Sequence, residues 1–181
     1  MKKLAIAASL TLVLGSVGMA QAASTGIITF NGELTATTCD VIVDGQAADA
    51  TVTLPTIGTN QLTAATQTAG RTGFTMALSN CAGTLKTASA FFEEGASVDQ
   101  ATGHLKNMTG TATKVSLQLR DASTAAQAPI QVGNSNQTLN TSYIDISSGN
   151  ATLPYAVEYY ADGQTTAGTV VSNVVYSIQY K

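Results

Sequence analysis

Apolar residues recur at every second position in run after run of this chain. Phe74, Met76 and Leu78 alternate with polar or small neighbours up to Cys81; Val115, Leu117 and Leu119 do the same, as do Tyr155, Val157 and Tyr159. From Val174 onward the alternation is strict, through Tyr176, Ile178 and Tyr180. A period of two sends successive side chains to opposite faces of an extended strand, giving each run one face for a core and one for solvent. Thr is common while Glu and Lys are scarce, which disfavours helices. Asp44-Gly45, Gly149-Asn150 and Asp162-Gly163 supply turns between the runs. Short strands with frequent turns predict an all-β sandwich, and 181 residues suit a single domain of ordinary size.

Other stretches are less regular. Ile28, Phe30, Leu34 and Ala36 alternate with Thr29, Asn31, Glu33 and Thr35, and Gly32 falls on the apolar face. Asn31-Gly32 resembles a hairpin turn but lies inside this run, so Gly32 reads as a point of close approach. Val41-Ile42-Val43 and Thr51 to Leu54 are expected strands on either side of the Asp44-Gly45 turn, and Pro55 ends the second. Asn60 to Thr68, carrying Leu62, Ala64 and Ala65 and closed by Gly70, is the expected short helix. Residues 88–92, 105–108, 129–132 and 143–145 are weaker strand candidates.

Charged residues make up 10% of the chain, against roughly 25% in an average domain. There is no cluster of Lys and Arg to neutralise phosphates, so nucleic acid is not an expected partner. The single His, His104, has no second His with which to hold a metal and is expected in a solvent-exposed loop. Glu93-Glu94 are adjacent, so in a strand they face opposite ways and cannot flank one substrate bond. No glycine loop for phosphates is present. Asn107-Met108-Thr109, Asn136-Gln137-Thr138 and Asn140-Thr141-Ser142 match the glycan acceptor pattern by chance in an Asn/Thr-rich chain. No catalytic, cofactor or metal residues and no small-molecule substrate are expected.

Lys2 and Lys3 precede an apolar run from Leu4 to Met19, followed by Ala20-Gln21-Ala22. A basic start, a short apolar stretch and small residues at the cleavage point predict a secretory signal peptide over residues 1–22. Gly15, Ser16 and Gly18 weaken the run where a membrane span would continue. Export into an oxidising space makes a disulfide the expected state of Cys39 and Cys81, which have no Cys-x-x-Cys spacing.

Four landmarks then carry a family resemblance. The first is Gly26-Ile27-Ile28-Thr29-Phe30-Asn31-Gly32-Glu33-Leu34, with Cys39 five residues later. The second is Phe74-Thr75-Met76-Ala77-Leu78-Ser79-Asn80-Cys81, and the third is Leu153-Pro154-Tyr155-Ala156-Val157-Glu158-Tyr159-Tyr160-Ala161. The fourth is the stretch from Gly168 through the alternating apolar residues to Tyr180. In this order, behind a signal peptide, they resemble a type 1-like fimbrial subunit of the chaperone–usher class, most like a major shaft pilin.

The resemblance implies an incomplete immunoglobulin-like β-sandwich, completed by a donor strand from a neighbouring subunit. It divides the chain into a signal (1–22), an N-terminal donor-strand extension (23–36) and a pilin domain (37–181). Ile28, Phe30, Gly32 and Leu34 are the implied donor face. Gly168, Val174, Tyr176, Ile178 and Tyr180 mark the implied groove edge that a periplasmic chaperone contacts. The implied partners are identical or related pilins, that chaperone and an outer-membrane usher. The implied location is a surface fimbrium reached through the periplasm, where it supports cell adhesion. The residues favour the same mechanism, because an apolar strand with no hairpin partner is an aggregation hazard unless another chain accepts it. A minor adaptor or terminator pilin is the neighbouring alternative. A secreted, monomeric carbohydrate-binding sandwich is a second class, which would need an aromatic sugar site from a chain with six Tyr and no Trp.

Overall fold

The computed structural model describes residues 26–181; the expected signal segment, 1–22, lies outside the described residues. Residues 26–33 belong to one unit and Leu34–Lys181 to another. The strands in chain order are β1 (Thr38–Val43), β2 (Thr68–Ala82), β3 (Thr87–Phe92), β4 (Leu105–Lys106), β5 (Val115–Asp121), β6 (Pro129–Ile130), β7 (Ile144–Asp145), β8 (Ala151–Ala161) and β9 (Tyr176–Tyr180). A single helical turn, α1, spans Gln137–Asn140.

The longest strands grow from the strongest alternation. β2 and β8 pair antiparallel from Thr68↔Tyr160 to Leu78↔Ala151, with an irregularity between Ala69 and Thr72. They anchor one sheet in the order β1-β2-β8-β5-β4, to which β6 adds beside β5. A second, three-stranded sheet has the order β7-β3-β9. Phe74, Met76, Leu78, Leu117, Leu119, Leu153, Tyr155 and Val157 from the first sheet meet Ala88, Ala90 and Phe92 from the second in one core. Tyr155 joins the layers: its ring packs edge-on against Phe92 with centroids 5.1 Å apart, and its hydroxyl accepts the Ala90 N–H at 2.9 Å. Burial of that hydroxyl without a partner would cost about 1–3 kcal/mol.

The chain between the strands is held by side-chain amides. Gln137 on α1 is buried and bonds Phe92 twice, accepting from its N–H and donating to its C=O, each at 3.0 Å. It thus acts as a one-residue partner at the end of β3. The expected helix over 60–68 is instead one 3-10 turn, Thr59–Gln61. The Gln67 side-chain carbonyl accepts from the backbone N–H groups of Thr63 and Ala64, at 2.7 and 3.0 Å, competing with helical pairing.

Polar residues on the outer side of β5 and β8 form a second network. Glu158 is 1% exposed and accepts from Arg71 at 2.8 Å and Arg120 at 2.6 Å. Arg120 also donates to the Gln118 carbonyl at 3.0 Å, which turns the Gln118 amide N–H toward His104 Nε2, 2.9 Å away. His104 is therefore not the exposed loop residue expected from the sequence; it is 7% exposed and packs on Tyr160 with centroids 4.2 Å apart. Its Nε2 accepts, so the neutral ring carries its proton on Nδ1.

Cys39 and Cys81 form a disulfide, with Cα atoms 4.1 Å apart, at the register shift within the β1–β2 ladder. Closing a chain segment of 42 residues restricts the unfolded state by about 4 kcal/mol. Cys39→Ser is therefore expected to lower the stability of the domain by a few kcal/mol and the yield of folded protein with it, read by denaturant melts and by immunoblot. Burial holds the His104 pKa below its ordinary value despite the opposing pull of Asp162 and Asp99. The unfolded chain then binds more protons than the folded one just below about pH 6.5, so stability falls as pH drops through that value. Thermal melts between about pH 7 and 5 should show this fall in the wild type and a shallower one in His104→Gln.

Candidate strand-accepting groove

Two extended segments of Leu34–Lys181 run past each other without pairing. The first starts beyond β1, where Val43 N–H donates to Ala47 O at 2.8 Å across the Asp44-Gly45 turn. Gln46 then clamps Thr51, accepting its N–H at 3.2 Å and donating to its C=O at 2.9 Å. From Val52 to Ile57 the chain is extended and outside any ladder, and the N–H groups of Val52, Thr53, Leu54, Thr56 and Ile57 have no partner among the described residues. The alternation of 51–54 was expected to form a strand. It sets only which side chains turn inward, with Val52 and Leu54 half-buried between exposed neighbours.

The second segment leads into β9. Val175 C=O accepts from Glu93 N–H, and Val171 C=O from Met108 N–H, both at 2.8 Å. Thr169 C=O accepts from Ala112 N–H at 3.0 Å, and the Asn107 side-chain carbonyl accepts the Val171 N–H at 2.8 Å. These odd-numbered residues turn their backbone toward residues 93–112. Extended geometry turns the even-numbered ones the other way, and Val170, Ser172 and Val174 have no backbone partner among the described residues. β9 continues this edge, since its ladder runs with β3 alone.

Between the two segments lies a trough. One part, about 460 Å³, has Phe74, Met76, Leu117, Leu119 and Val157 as its floor, with Val52 and Leu54 on one wall and Val174 and Tyr176 on the other. A second part, about 570 Å³, lies between Ile57 and residues 165–171 over Leu62, Val115 and Tyr159. Val170 and Tyr159 touch the apolar clusters beneath both parts, so the two adjoin. Three tyrosines brace the walls. Tyr176 donates to Ala48 O at 2.8 Å, Tyr180 accepts from Cys39 N–H at 3.0 Å, and Tyr159 donates to Pro55 O at 3.3 Å. Burial raises all three phenol pKa values, which keeps the hydroxyls protonated at neutral pH.

Each residue singled out in the sequence has a definite place. Val174 and Tyr176 line the first part of the trough, and Gly168 lines the second. A Cβ at Gly168 would stand 2.4 Å from Ala112 N, so only glycine lets the two backbones approach so closely. Ile178 and Tyr180 are half-buried further along the same edge. Residues 26–33 form no ladder; Ile27, Ile28 and Phe30 are 96%, 78% and 88% exposed, and Leu34, first residue of the larger unit, is fully exposed. Val52, Leu54 and Tyr159 were not singled out from the sequence, although the half-buried alternation of 51–54 was the available signal.

Residues 54–181 match the family described as FimA, Type-1 fimbrial protein, A. The chain is 37% identical over 172 residues to the Major fimbrial subunit SMF-1 of Stenotrophomonas maltophilia (strain K279a), an alignment covering 93% of this chain and 99% of that one. It is 34% identical over 178 residues to the F17 fimbrial protein of Escherichia coli, covering 93% and 97%. Among solved structures, the P pilus rod subunit PapA superposes with a TM-score of 0.61 at 15% identity, covering 79% of this chain and 99% of that chain, a likeness of fold. The chain belongs to the type-1 fimbrial protein family and is a structural pilin subunit that polymerises with other pilins into a surface fimbria.

Proposed function

We propose that the trough accepts the N-terminal extension of another copy, and that Ile28, Phe30, Gly32 and Leu34 are the inserted face. The observation that carries this is the pairing deficit on both walls, in a chain that also bears an exposed extended segment with one apolar face. Ile28–Leu34 matches Val170–Tyr176 in length, so an inserted strand spans both parts of the trough. Its backbone supplies partners for the even-numbered residues from Val170 onward, in the manner of strand addition. Ile28, Phe30 and Leu34 contribute roughly 1.5–3 kcal/mol each on full burial. The Ser172 hydroxyl, buried in the trough wall and unpartnered among the described residues, also gains a partner from an inserted backbone.

The contact is head-to-tail, which builds an open filament rather than a closed dimer. In this reading residues 1–22 direct export, 23–36 are the donor extension and 37–181 the acceptor domain. A periplasmic chaperone covers the edge from Gly168 to Tyr180 before an outer-membrane usher hands the subunit to its neighbour. The protein works by binding.

The mature protein is expected to run as ladders in an unheated detergent gel, and deletion of 23–36 to abolish them; monomers from both proteins would overturn the reading. A charge inside the trough tests the acceptor side. Val174→Asp is expected to weaken the ladders strongly, because an inserted strand would desolvate the carboxylate. Val175→Asp, at a neighbouring residue that is 69% exposed, is expected to leave them intact.

A further inference from the structure

Asn31-Gly32 is the only Asn-Gly step in the sequence, and it sits in the middle of the exposed segment. Both residues are exposed and outside any ladder, and neither makes a hydrogen bond among the described residues. A Cβ placed on Gly32 would meet nothing within 4 Å. These are the conditions for attack of a backbone nitrogen on the preceding side-chain amide: no side chain shields the nitrogen, no ladder bond fixes it, and glycine leaves the backbone free to rotate into position.

We propose that Asn31-Gly32 is a self-modification site that ages the unassembled subunit, and that seating the extension in a groove stops the reaction. The lone pair of the deprotonated Gly32 amide nitrogen forms a bond to Asn31 Cγ, and the Cγ–NH2 bond breaks to release ammonia, leaving a five-membered cyclic imide. Water then opens the ring. Attack at Cγ gives aspartate, whereas attack at the main-chain carbonyl gives isoaspartate. Nothing is oxidised or reduced, and water is the only reactant consumed.

The two products differ in consequence. Asn31 lies on the face opposite Phe30 and Gly32, so aspartate adds a charge on the outward side and keeps the strand register. Isoaspartate routes the main chain through Cβ. The added backbone atom displaces Gly32 and Leu34 relative to Ile28 and Phe30, spoiling the apolar face. Protection in the filament rests on the donor-strand reading; the chemistry in the free subunit does not.

The test incubates unassembled mature subunit and assembled fimbriae at mildly alkaline pH. It follows Asn31 by peptide mass spectrometry, isoaspartate by enzymatic methylation, and the ability to join ladders by gel. Free subunit is expected to convert Asn31 several-fold faster than the exposed Asn134 and Asn150, and to lose assembly competence as isoaspartate accumulates. Asn31→Gln, whose amide would have to close a slower six-membered ring, is expected to retain competence over the same time. Conversion at Asn31 no faster than at Asn134 and Asn150 would overturn the site. Aged wild-type subunit that assembles as well as aged Asn31→Gln would overturn its effect. Equal conversion in subunit and fimbriae would overturn the protection and the donor-strand reading together, leaving the chemistry standing.

Discussion

Every backbone N–H and C=O withdrawn from water needs a partner, and the arrangement of this domain follows from where that rule is left unmet. β2 and β8 satisfy it along their length, and β5 extends the same sheet. Across the trough it fails on both walls, from Val52 to Ile57 and at Val170, Ser172 and Val174. The apolar floor between them needs cover for the same reason that the walls need ladders. An extended strand with a single apolar face, inserted as proposed, would meet both deficits.

Substitutes for missing ladders recur throughout the domain. Gln46 clamps Thr51 and Gln137 clamps Phe92, each with both ends of its amide. Thr111 and Thr169 exchange bonds between backbone N–H and side-chain hydroxyl, at 3.1 and 3.0 Å. A surface rich in Thr, Asn and Gln is therefore part of the framework as well as its exterior. The low charge of the chain is consistent with this, because neutral amides and hydroxyls can serve as backbone partners inside a packed domain at lower desolvation cost than ions.

Periodicity made the strands legible, and a resemblance in four landmarks made the missing strand legible. What it could not convey was pairing. Residues 51–54 alternate as β2 does, yet they face a gap, because alternation records which side chains turn inward and says nothing of who bonds the backbone. His104 was misplaced for a related reason: its burial depends on Gln118, which Arg120 orients, and that relay exists only once β5 is folded. The expected helix at 60–68 failed on one side chain, Gln67, whose carbonyl captured the N–H groups a first turn would have used.

The tyrosines that brace the trough have a mechanical meaning. Tyr176 ties the second wall to Ala48 just before the first, Tyr159 ties the floor to Pro55 in the first wall, and Tyr180 ties β9 to Cys39 of β1. A strand entering such a gap meets a preset width and loses less conformational freedom on binding than one that must first pry the walls apart. Once seated, it lies along the trough with its bonds side by side. For a strand inserted as proposed, tension along its axis would load those bonds in shear and in parallel, not one after another as in peeling.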